Sequence, residues 1–320
     1  MFLLSPTNCQ LTGPDRQRQR VPAPMSASPT SSSQSTMLAL APGVFVVLWS
    51  TGFIGAKLGL PYAEPMTFLS LRFGIVAVML AGIALLLGAP WPKRPVDALH
   101  IAVAGLLVHA VYLGGVFASI AHGVDAGVSA LIVGTQPLFT AVLASRLLGE
   151  TVSGRQWLGF LLGLAGVGLV VSAKLGQGQG TTFGYLLSVL GLVGITIGTL
   201  YQKKFCAHMD LRTGSVIQFA ASSLSLLPFA LLFETMHITW SGEFIFALAW
   251  LCVVLSLGAI TLLYILIRRG AAARVASLFY LVPPCTAVVA WFLFGERLSA
   301  LAWGGMALVA LGVALVNVRR

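Results

Sequence analysis

The chain has 320 residues, of which 58% are hydrophobic and 9% are charged, and its mean hydropathy is +0.93. Because soluble domains carry about 25% charged residues, this composition excludes a water-soluble globular protein and predicts an integral membrane protein with many spans. The net charge of +10 is also common in nucleic-acid-binding proteins, so the positions of the basic residues matter.

Residues 1–36 differ in composition from the rest of the chain. They are rich in Ser, Pro, Thr, Gln and Arg and show no helical or strand period. The opening MFLL is too short for the apolar region of a signal peptide. We therefore predict a disordered cytoplasmic tail without an assigned function, with Met25 and Met37 as alternative start residues.

Ten apolar segments follow the tail, each close to the roughly 20 residues that span about 30 Å of hydrocarbon. Short connections separate them, and no segment of soluble-domain character lies between them. The predicted spans are 38–58, 66–88, 98–121, 126–147, 155–173, 182–202, 213–233, 244–267, 272–294 and 299–318. The sequence therefore predicts an all-α membrane protein with ten transmembrane helices.

The second half of the chain repeats the first at a fixed offset of 146 residues, without a gap. The coinciding residues are Pro137 with Pro283, Gly149 with Gly295, Glu150 with Glu296, Trp157 with Trp303, Gly159 with Gly305, and Gly166 with Gly312. Matched Pro, Gly, Glu and Trp residues at one offset indicate an internal duplication. We therefore predict two five-span repeats, at residues 37–173 and 180–318.

The basic residues predict the orientation of the chain in the membrane. With a cytoplasmic N-terminus, fifteen Lys and Arg residues fall on the inner side, three fall on the outer side, and Arg72 lies within a span. The three outer residues are Lys57, Lys174 and Arg297. This asymmetry places both termini in the cytoplasm and assigns the basic residues to contacts with anionic membrane lipid rather than with nucleic acid.

Equivalent helices of the two repeats are five spans apart, which is an odd number. The two repeats therefore cross the membrane in opposite directions. Inverted repeats of this kind are typical of carriers in which one half moves against the other around a site near the midplane. Channels are also built from inverted repeats, so the duplication favours a carrier and leaves a channel as an alternative.

The pattern P-x11-G-E-x8-G-x6-G occurs from Pro137 to Gly166 and again from Pro283 to Gly312. It resembles the EamA domain, present twice. Trp49 in the first span and Arg72 followed by Phe73 in the second span agree with that resemblance. On these motifs, residues 37–318 are identified as a member of the drug/metabolite transporter superfamily of ten-helix carriers.

The resemblance implies a bacterial inner-membrane protein that exports or exchanges small metabolites, often amino acids or related amphipathic compounds. The second repeat departs from the first at two positions. Gln218 stands where the first repeat has Arg72, and no tryptophan stands where the first has Trp49. The two halves are therefore not chemically equivalent.

Prolines interrupt the fourth and ninth spans at equivalent depths. Pro137 follows Gly134 by three residues, and Pro283 and Pro284 occupy the matching place. A proline inside a helix removes one hydrogen bond and frees a carbonyl group, which is tolerated where that group faces protein or a wet cavity. The matched breaks indicate a transport site or hinge, and an inert packing kink is the alternative.

Arg72 is the charged side chain that the sequence places clearly within a span. An ionised group in the membrane usually marks function, and no Asp or Glu lies within a predicted span to pair with it. A substrate carboxylate, helix carbonyl groups and Glu64 are its candidate partners. We therefore assign Arg72 either to substrate contact or to structural tethering.

Polar and aromatic residues within the spans predict the lining of a central cavity. The candidate substrate-binding residues are Trp49, Arg72, His109, Tyr112, Gln136, Gln218, Tyr264 and Tyr280. His109 is either a satisfied hydrogen-bonding residue or the group that would titrate near neutral pH, and Tyr264 is alternatively an interfacial anchor. We expect spans one, three, four, six, eight and nine to form the walls, with Arg72 and Gln218 entering from spans two and seven.

Glu150 and Glu296 lie at span ends, and each precedes a helix whose first turn favours an acidic residue. We predict that they are structural caps, with a proton relay as the alternative. Gly159 and Gly163 form a GxxxG pattern in the fifth span. Such small residues allow close helix packing, either within one subunit or at a homodimer face.

These observations predict a secondary carrier that binds a small-molecule substrate and works by alternating access, with spans four and nine bending at their proline breaks. We find no pattern for an enzyme, and we predict no catalytic residue, no metal and no cofactor. A flippase for a lipid-linked or amphiphilic precursor is the alternative function, and a channel is a less favoured one.

Overall fold

The computed structural model describes residues 32–140, 143, 153–175, 180–259, 262, 281–296 and 299–317. Within these ranges the regular structure is helical, and one isolated antiparallel bridge joins Ala63 to Ile238. The predicted all-helical class is therefore confirmed. In the described part of the chain, seven helices are long and apolar enough to cross a membrane, and three further apolar helices are shorter.

The helices of the first half are α1 (Ser32–Gly59), α2 (Pro65–Leu86), α3 (Pro95–Gly105), α4 (Tyr112–Ala121), α5 (Ala126–Gly134) and α6 (Gly154–Leu175). A π-helical segment, π1 (Leu106–Val111), joins α3 to α4, so that Pro95–Ala121 is one continuous helical segment long and apolar enough to cross a membrane. These bounds lie within a few residues of the predicted first, second, third and fifth spans.

The helices of the second half are α7 (Thr182–Phe205), α8 (Leu211–Phe233), α9 (Gly242–Ala249), α10 (Val282–Phe294) and α11 (Ala300–Asn317). A second π-helical segment, π2 (Trp250–Ala259), continues α9. The three shorter apolar helices, Ala126–Thr140, Val282–Phe294 and Ala300–Gly312, lie in the predicted fourth, ninth and tenth spans.

Short polar residues and prolines determine where several helices begin. Thr181, Asp210 and Ser241 each precede a helix, and their side chains accept hydrogen bonds of 3.0, 2.9 and 3.1 Å from backbone N–H groups of the first turn. These bonds satisfy N–H groups that have no partner within the helix. Pro65 and Pro95 occupy the first helical position, where the missing N–H is not needed.

Helices α6 and α11 pack against each other through glycines. A Cβ atom at Gly305 would lie 2.6 Å from the carbonyl oxygen of Gly166, and a Cβ atom at Gly312 would overlap the carbonyl oxygen of Gly159. Adding 146 to Gly166 and subtracting 146 from Gly305 gives Gly312 and Gly159, so the two contacts are related by the repeat. The helices run antiparallel, and the glycines serve packing between the two halves. A homodimer stays a prediction.

Helices α2 and α8, which the same offset relates, also run antiparallel. Ser70 and Ser223 exchange hydrogen bonds of 3.1 and 2.8 Å between each hydroxyl and the other residue's carbonyl. At the end of α8, the Glu234 carboxylate accepts hydrogen bonds from the N–H groups of Met66, at 2.8 Å, and Thr67, at 2.7 Å. The carboxylate of one half therefore caps a helix of the other.

Candidate functional site

The third and eighth spans each contain a π-helical segment, which the sequence did not predict. The offset of 146 moves π1 to residues 252–257, inside π2. In π2, the Ser256 hydroxyl donates a 2.9 Å hydrogen bond to the carbonyl of Leu251, five residues earlier. Segments of π-helix occur mostly as local distortions of α-helices and frequently at functional sites. Both repeats therefore carry the same distortion at the same depth.

A cavity lies between these two segments and the neighbouring helices. Its lining comes from α1, α2, π1, α4, α7, α8 and π2. The polar side chains of the lining are Arg72, His109, Tyr112 and Ser256, and its other aromatic side chains are Trp49, Phe53, Phe117 and Phe219. A mostly apolar cavity with a few convergent polar groups is typical of small-molecule sites.

Arg72 is buried in the wall of this cavity, with 3% of its surface exposed. Its Nη2 donates to the Ser256 hydroxyl at 3.4 Å, beyond the usual range of about 2.7–3.2 Å. Among the residues that the structure describes, its Nε has no hydrogen-bond partner and no carboxylate forms an ion pair with it. The site therefore contains a cation without a counter-charge from the described chain.

His109 and Tyr112 lie beside Arg72, one in π1 and one at the start of α4. The His109 ring stacks on Phe219 with centroids 4.3 Å apart and an angle of 20° between the planes. Phe73 lies 5.7 Å from His109 and 5.6 Å from Phe219, measured between ring centroids. These aromatic contacts fix the orientation of His109 at the cavity wall.

The structure brings four of the predicted substrate-binding residues together in one lining, and two others lie outside that described lining. Trp49, Arg72, His109 and Tyr112 line the one cavity. Gln218 donates through Nε2 to Oε1 of Gln202 at 3.2 Å, and Gln136 donates through Nε2 to the Thr199 hydroxyl at 3.1 Å. Neither glutamine is part of the described lining. Tyr264 and Tyr280 lie outside the described residues.

The predicted walls differ from the observed ones. The fourth and ninth spans were expected to line the cavity, but no described residue of α5 or α10 belongs to the lining. The second and seventh spans contribute Arg72 and Phe219. A separate cavity, lined by Gly134, Pro283, Pro284 and apolar residues of α11, lies at the proline breaks.

The proline motifs coincide with helix ends rather than with bends inside continuous helices. Helix α5 ends at Gly134, Thr135 forms a turn, and residues 136–140 are helical again, with Pro137 in that restarted turn. Pro283 and Pro284 lie in the first turn of α10. A Cβ atom at Gly134 would lie only 2.7 Å from Cγ of Pro283, so the two breaks contact each other.

Glu296 links three elements at one end of the structure. It forms an ion pair with Lys57, in the last turn of α1, and its carboxylate accepts a 3.1 Å hydrogen bond from the N–H of Ala126 at the start of α5. We expected Glu296 to favour the helix that follows it, whereas its described backbone contact is with a helix of the other half. Glu150 lies outside the described residues.

Possible metal ligands do not cluster in the described part of the chain. No group of three or more His, Cys, Asp or Glu side chains lies close enough there to hold a metal ion. The carboxylates of Asp210, Glu234 and Glu296 sit at helix ends, where they bind backbone N–H groups or basic side chains. The arrangement suits binding of a ligand by shape and charge.

The sequence profile of the EamA-like transporter family matches residues 37–172 and again residues 182–318. The chain is 27% identical over 272 residues to a protein named "Uncharacterized inner membrane transporter YedA" from Escherichia coli K12, which covers 85% of this chain and 87% of that protein. It is 28% identical over 292 residues to "Uncharacterized transporter YvbV" from Bacillus subtilis 168, covering 89% of this chain and 92% of that protein.

A third relative carries a more specific name. The chain is 27% identical over 278 residues to a "Probable amino-acid metabolite efflux pump" of Escherichia coli K12, covering 84% of this chain and 90% of that protein. A solved crystal structure with 20% sequence identity superposes with a TM-score of 0.61 over 88% of this chain and 96% of the other. At that identity the structural likeness concerns the fold alone.

Proposed function

This chain belongs to the EamA-like transporter family, and from that membership we propose that it is a ten-span secondary carrier of the bacterial inner membrane. It moves small metabolites, such as amino acids or related amphipathic solutes, by alternating access between two inverted repeats. Export is the proposed direction. The relative named as a probable amino-acid metabolite efflux pump supports both the substrate class and the direction.

The observation that carries the proposal is the cavity between π1 and π2. Both repeats contribute to it, and Arg72, Tyr112 and His109 face the same space as Trp49. A solute held there would contact both halves at once. A substrate biases an equilibrium between two conformations when it binds them with different affinity, and contacts to both halves change when one half moves against the other. We assign substrate binding to these four residues.

The antiparallel packing of related helices supports the inverted arrangement. Helices α2 and α8, and helices α6 and α11, are each related by the offset of 146 and run in opposite directions. This is the geometry that two repeats of opposite orientation require. With the asymmetry of basic residues, it supports a topology with both termini in the cytoplasm.

The proline breaks are the proposed hinges. Gly134 and Pro283 meet where α5 ends and α10 begins, so small changes at the two breaks would tilt the helix segments against each other. Hinges are a few element-terminal residues that absorb a change in backbone angles. Pro137 and Pro284 belong to the same turns and complete the hinge set.

The test is uptake of a labelled panel of amino acids and related metabolites into everted membrane vesicles, in which export appears as uptake. Wild type is compared with Arg72→Ala, with vesicles lacking the protein, and with Arg212→Ala as a matched control. Arg212 pairs with Asp210 and its side chain is 39% exposed, away from the cavity.

We expect saturable uptake that unlabelled substrate on the opposite side accelerates. Arg72→Ala should reduce it about tenfold or more, because the buried cation is lost, whereas Arg212→Ala should stay close to wild type. Flux that does not saturate would identify a channel. Movement of a lipid-linked substrate, with no flux of soluble panel members, would identify a flippase and contradict the proposal.

A further inference from the structure

Arg72 lines the cavity, and the Nε and Nη2 edge of its buried guanidinium is incompletely hydrogen-bonded. Its Nε has no hydrogen-bond partner among the described residues, and Nη2, on the same edge, makes a long bond of 3.4 Å to Ser256. This edge of a guanidinium binds a carboxylate through two parallel hydrogen bonds. Burial of a cation without such partners is costly, so the cavity is built to receive an anionic oxygen pair.

Among the residues that the structure describes, the cavity lining offers no carboxylate to a positively charged group. The acidic residues of the described ranges all lie at helix ends, namely Glu64, Asp97, Asp125, Asp210, Glu234, Glu243 and Glu296. The remaining two, Asp15 and Glu150, lie outside the predicted spans. An ammonium group in the cavity would therefore sit near the Arg72 cation, in a medium of low dielectric, without a negative partner.

The rest of the lining suits an apolar body. Trp49, Phe53, Phe117 and Phe219 surround the polar groups. Aromatic faces can bind ammonium groups by cation–π contact, but one face of Phe219 is already covered by the His109 ring at 4.3 Å. The cavity therefore combines one unbalanced positive charge with a mostly hydrocarbon wall.

We propose that the cavity binds carboxylates that have an apolar or aromatic body and no free ammonium group, and that it prefers them to the corresponding amino acids. Deaminated and N-acylated acids are the ligands of this kind. The inference rests on the proposed function, and it narrows the substrate class of the same site. It places the carboxylate on the Nε and Nη2 edge of Arg72 and the body among the aromatic rings.

The test compares four ligands with one side-chain ring: 3-phenylpropanoate, N-acetylphenylalanine, phenylalanine and 2-phenylethylamine. Equilibrium binding to the purified full-length protein is measured near neutral pH by isothermal titration. We expect both acids without an ammonium group to bind about tenfold or more tightly than phenylalanine, and the amine to bind least. Equal binding of phenylalanine and 3-phenylpropanoate, or tighter binding of the amine, would overturn the proposal.

Variants separate the charge from the shape of the site. Arg72→Gln keeps a polar side chain but removes the cation, so the preference for the anion over phenylalanine should disappear. Arg72→Lys keeps the charge without the two-bond edge, so part of the preference should remain. Arg212→Gln is the same change at an arginine that pairs with Asp210 outside the cavity, so it should keep the full preference. An anion preference that survives in Arg72→Gln would contradict the assignment of the carboxylate to Arg72.

Binding and transport distinguish this inference from the proposed function. Saturable, Arg72-dependent export of amino acids, with no competition from the deaminated acids, would overturn the inference and leave the carrier standing. Arg72-dependent binding of the acids, with no flux of any panel member into everted vesicles, would overturn the carrier proposal and leave the binding site standing.

Discussion

Lys57 and Glu296 form an ion pair between the two halves of the protein. Lys57 lies in the last turn of α1, and Glu296 follows α10. The side chain of Glu296 is 5% exposed and that of Lys57 is 29% exposed. Glu296 also accepts a hydrogen bond of 3.1 Å from Ala126 N–H, which places an anion at the N-terminus of α5. The pair therefore joins α1, α5 and α10 at one point.

Removal of Lys57 should destabilise the protein because it leaves the Glu296 carboxylate buried with one partner fewer. Loss of one member of a fully buried pair costs about 3–5 kcal/mol, and partial exposure of Lys57 reduces this to about 1–3 kcal/mol. We expect Lys57→Met to lower the melting temperature of the purified protein.

The double variant Lys57→Met with Glu296→Gln is the control for this prediction. The glutamine removes the charge but retains an oxygen that can accept the Ala126 N–H bond. At least half of the lost thermal stability should return. A double variant that melts as low as Lys57→Met alone would show that the ion pair is not the source of the loss.

Gly305→Ala should destabilise the contact between α6 and α11, whereas Gly304→Ala should not. A Cβ atom at Gly305 would lie 2.6 Å from the carbonyl oxygen of Gly166, but a Cβ atom at Gly304 would meet nothing within 4 Å. Overpacking costs about 1–3 kcal/mol, and an unstrained Gly→Ala change in a helix stabilises by about 0.5–1 kcal/mol. Thermal melting of the two adjacent variants should shift in opposite directions. Equal shifts would mean that the glycine contact does not constrain the two halves.

The repeat predicted the helix ends well, because the length of an apolar segment and the residues that begin and end it are local features of the sequence. Moving by 146 residues takes Gly59 to Phe205, where α1 and α7 end, and takes Pro65 to Leu211, where α2 and α8 begin. The grouping of Arg72 with His109 and Tyr112 could also be predicted from the sequence, because charged and polar groups within apolar spans usually face one another or a cavity. These features follow from composition along the chain.

Hydrogen-bond partners on distant helices could not be predicted from the sequence in the same way. Gln136 and Gln218 were assigned to the cavity, yet each bonds to a side chain of α7, Thr199 and Gln202 respectively. A polar residue within a span needs a hydrogen-bond partner, but the sequence does not show which residue that partner is. The π-helical segments were not predicted for a related reason. The sequence around His109 is apolar, and an apolar sequence fits an α-helix and a π-helix equally well.

The thermal stability supplied by Asp210 should depend on pH. Arg212 donates to its carboxylate from Nε at 3.1 Å and Nη2 at 2.8 Å, and this hydrogen bonding lowers the pKa of Asp210 below its ordinary value. A group whose pKa is lower in the folded state stabilises that state above its unfolded pKa, about 3.9 for aspartate. That contribution to stability is lost as the pH falls through the pKa of Asp210 in the folded state.

Asp210→Asn tests this dependence, with Asp97→Asn as the matched control. Wild type should melt above Asp210→Asn near neutral pH, and the gap should shrink as the pH falls below about 4, where the wild-type carboxylate becomes protonated. Asp97 lies in the first turn of α3 and has no ion pair among the described residues, so its variant should show a smaller gap. A gap for Asp210→Asn that stays constant to low pH would contradict the assignment of the shift to Arg212.

Gly134→Ala should slow transport more than it weakens binding. The added Cβ atom would lie 2.7 Å from Cγ of Pro283, at the contact between the two proline breaks. If the helix segments tilt there during alternating access, a methyl group at this contact raises the barrier between conformations without touching the cavity around Arg72. We expect turnover to fall about tenfold while ligand affinity changes less than about threefold.

Gly154→Ala is the control for this prediction, because a Cβ atom there would meet nothing within 4 Å. A hinge acts on the rate of exchange between conformations and not on the contacts that hold the ligand. Wild-type turnover in Gly134→Ala would therefore contradict a hinge at this site. An equal loss of binding and transport would contradict it too, because it would indicate a folding defect.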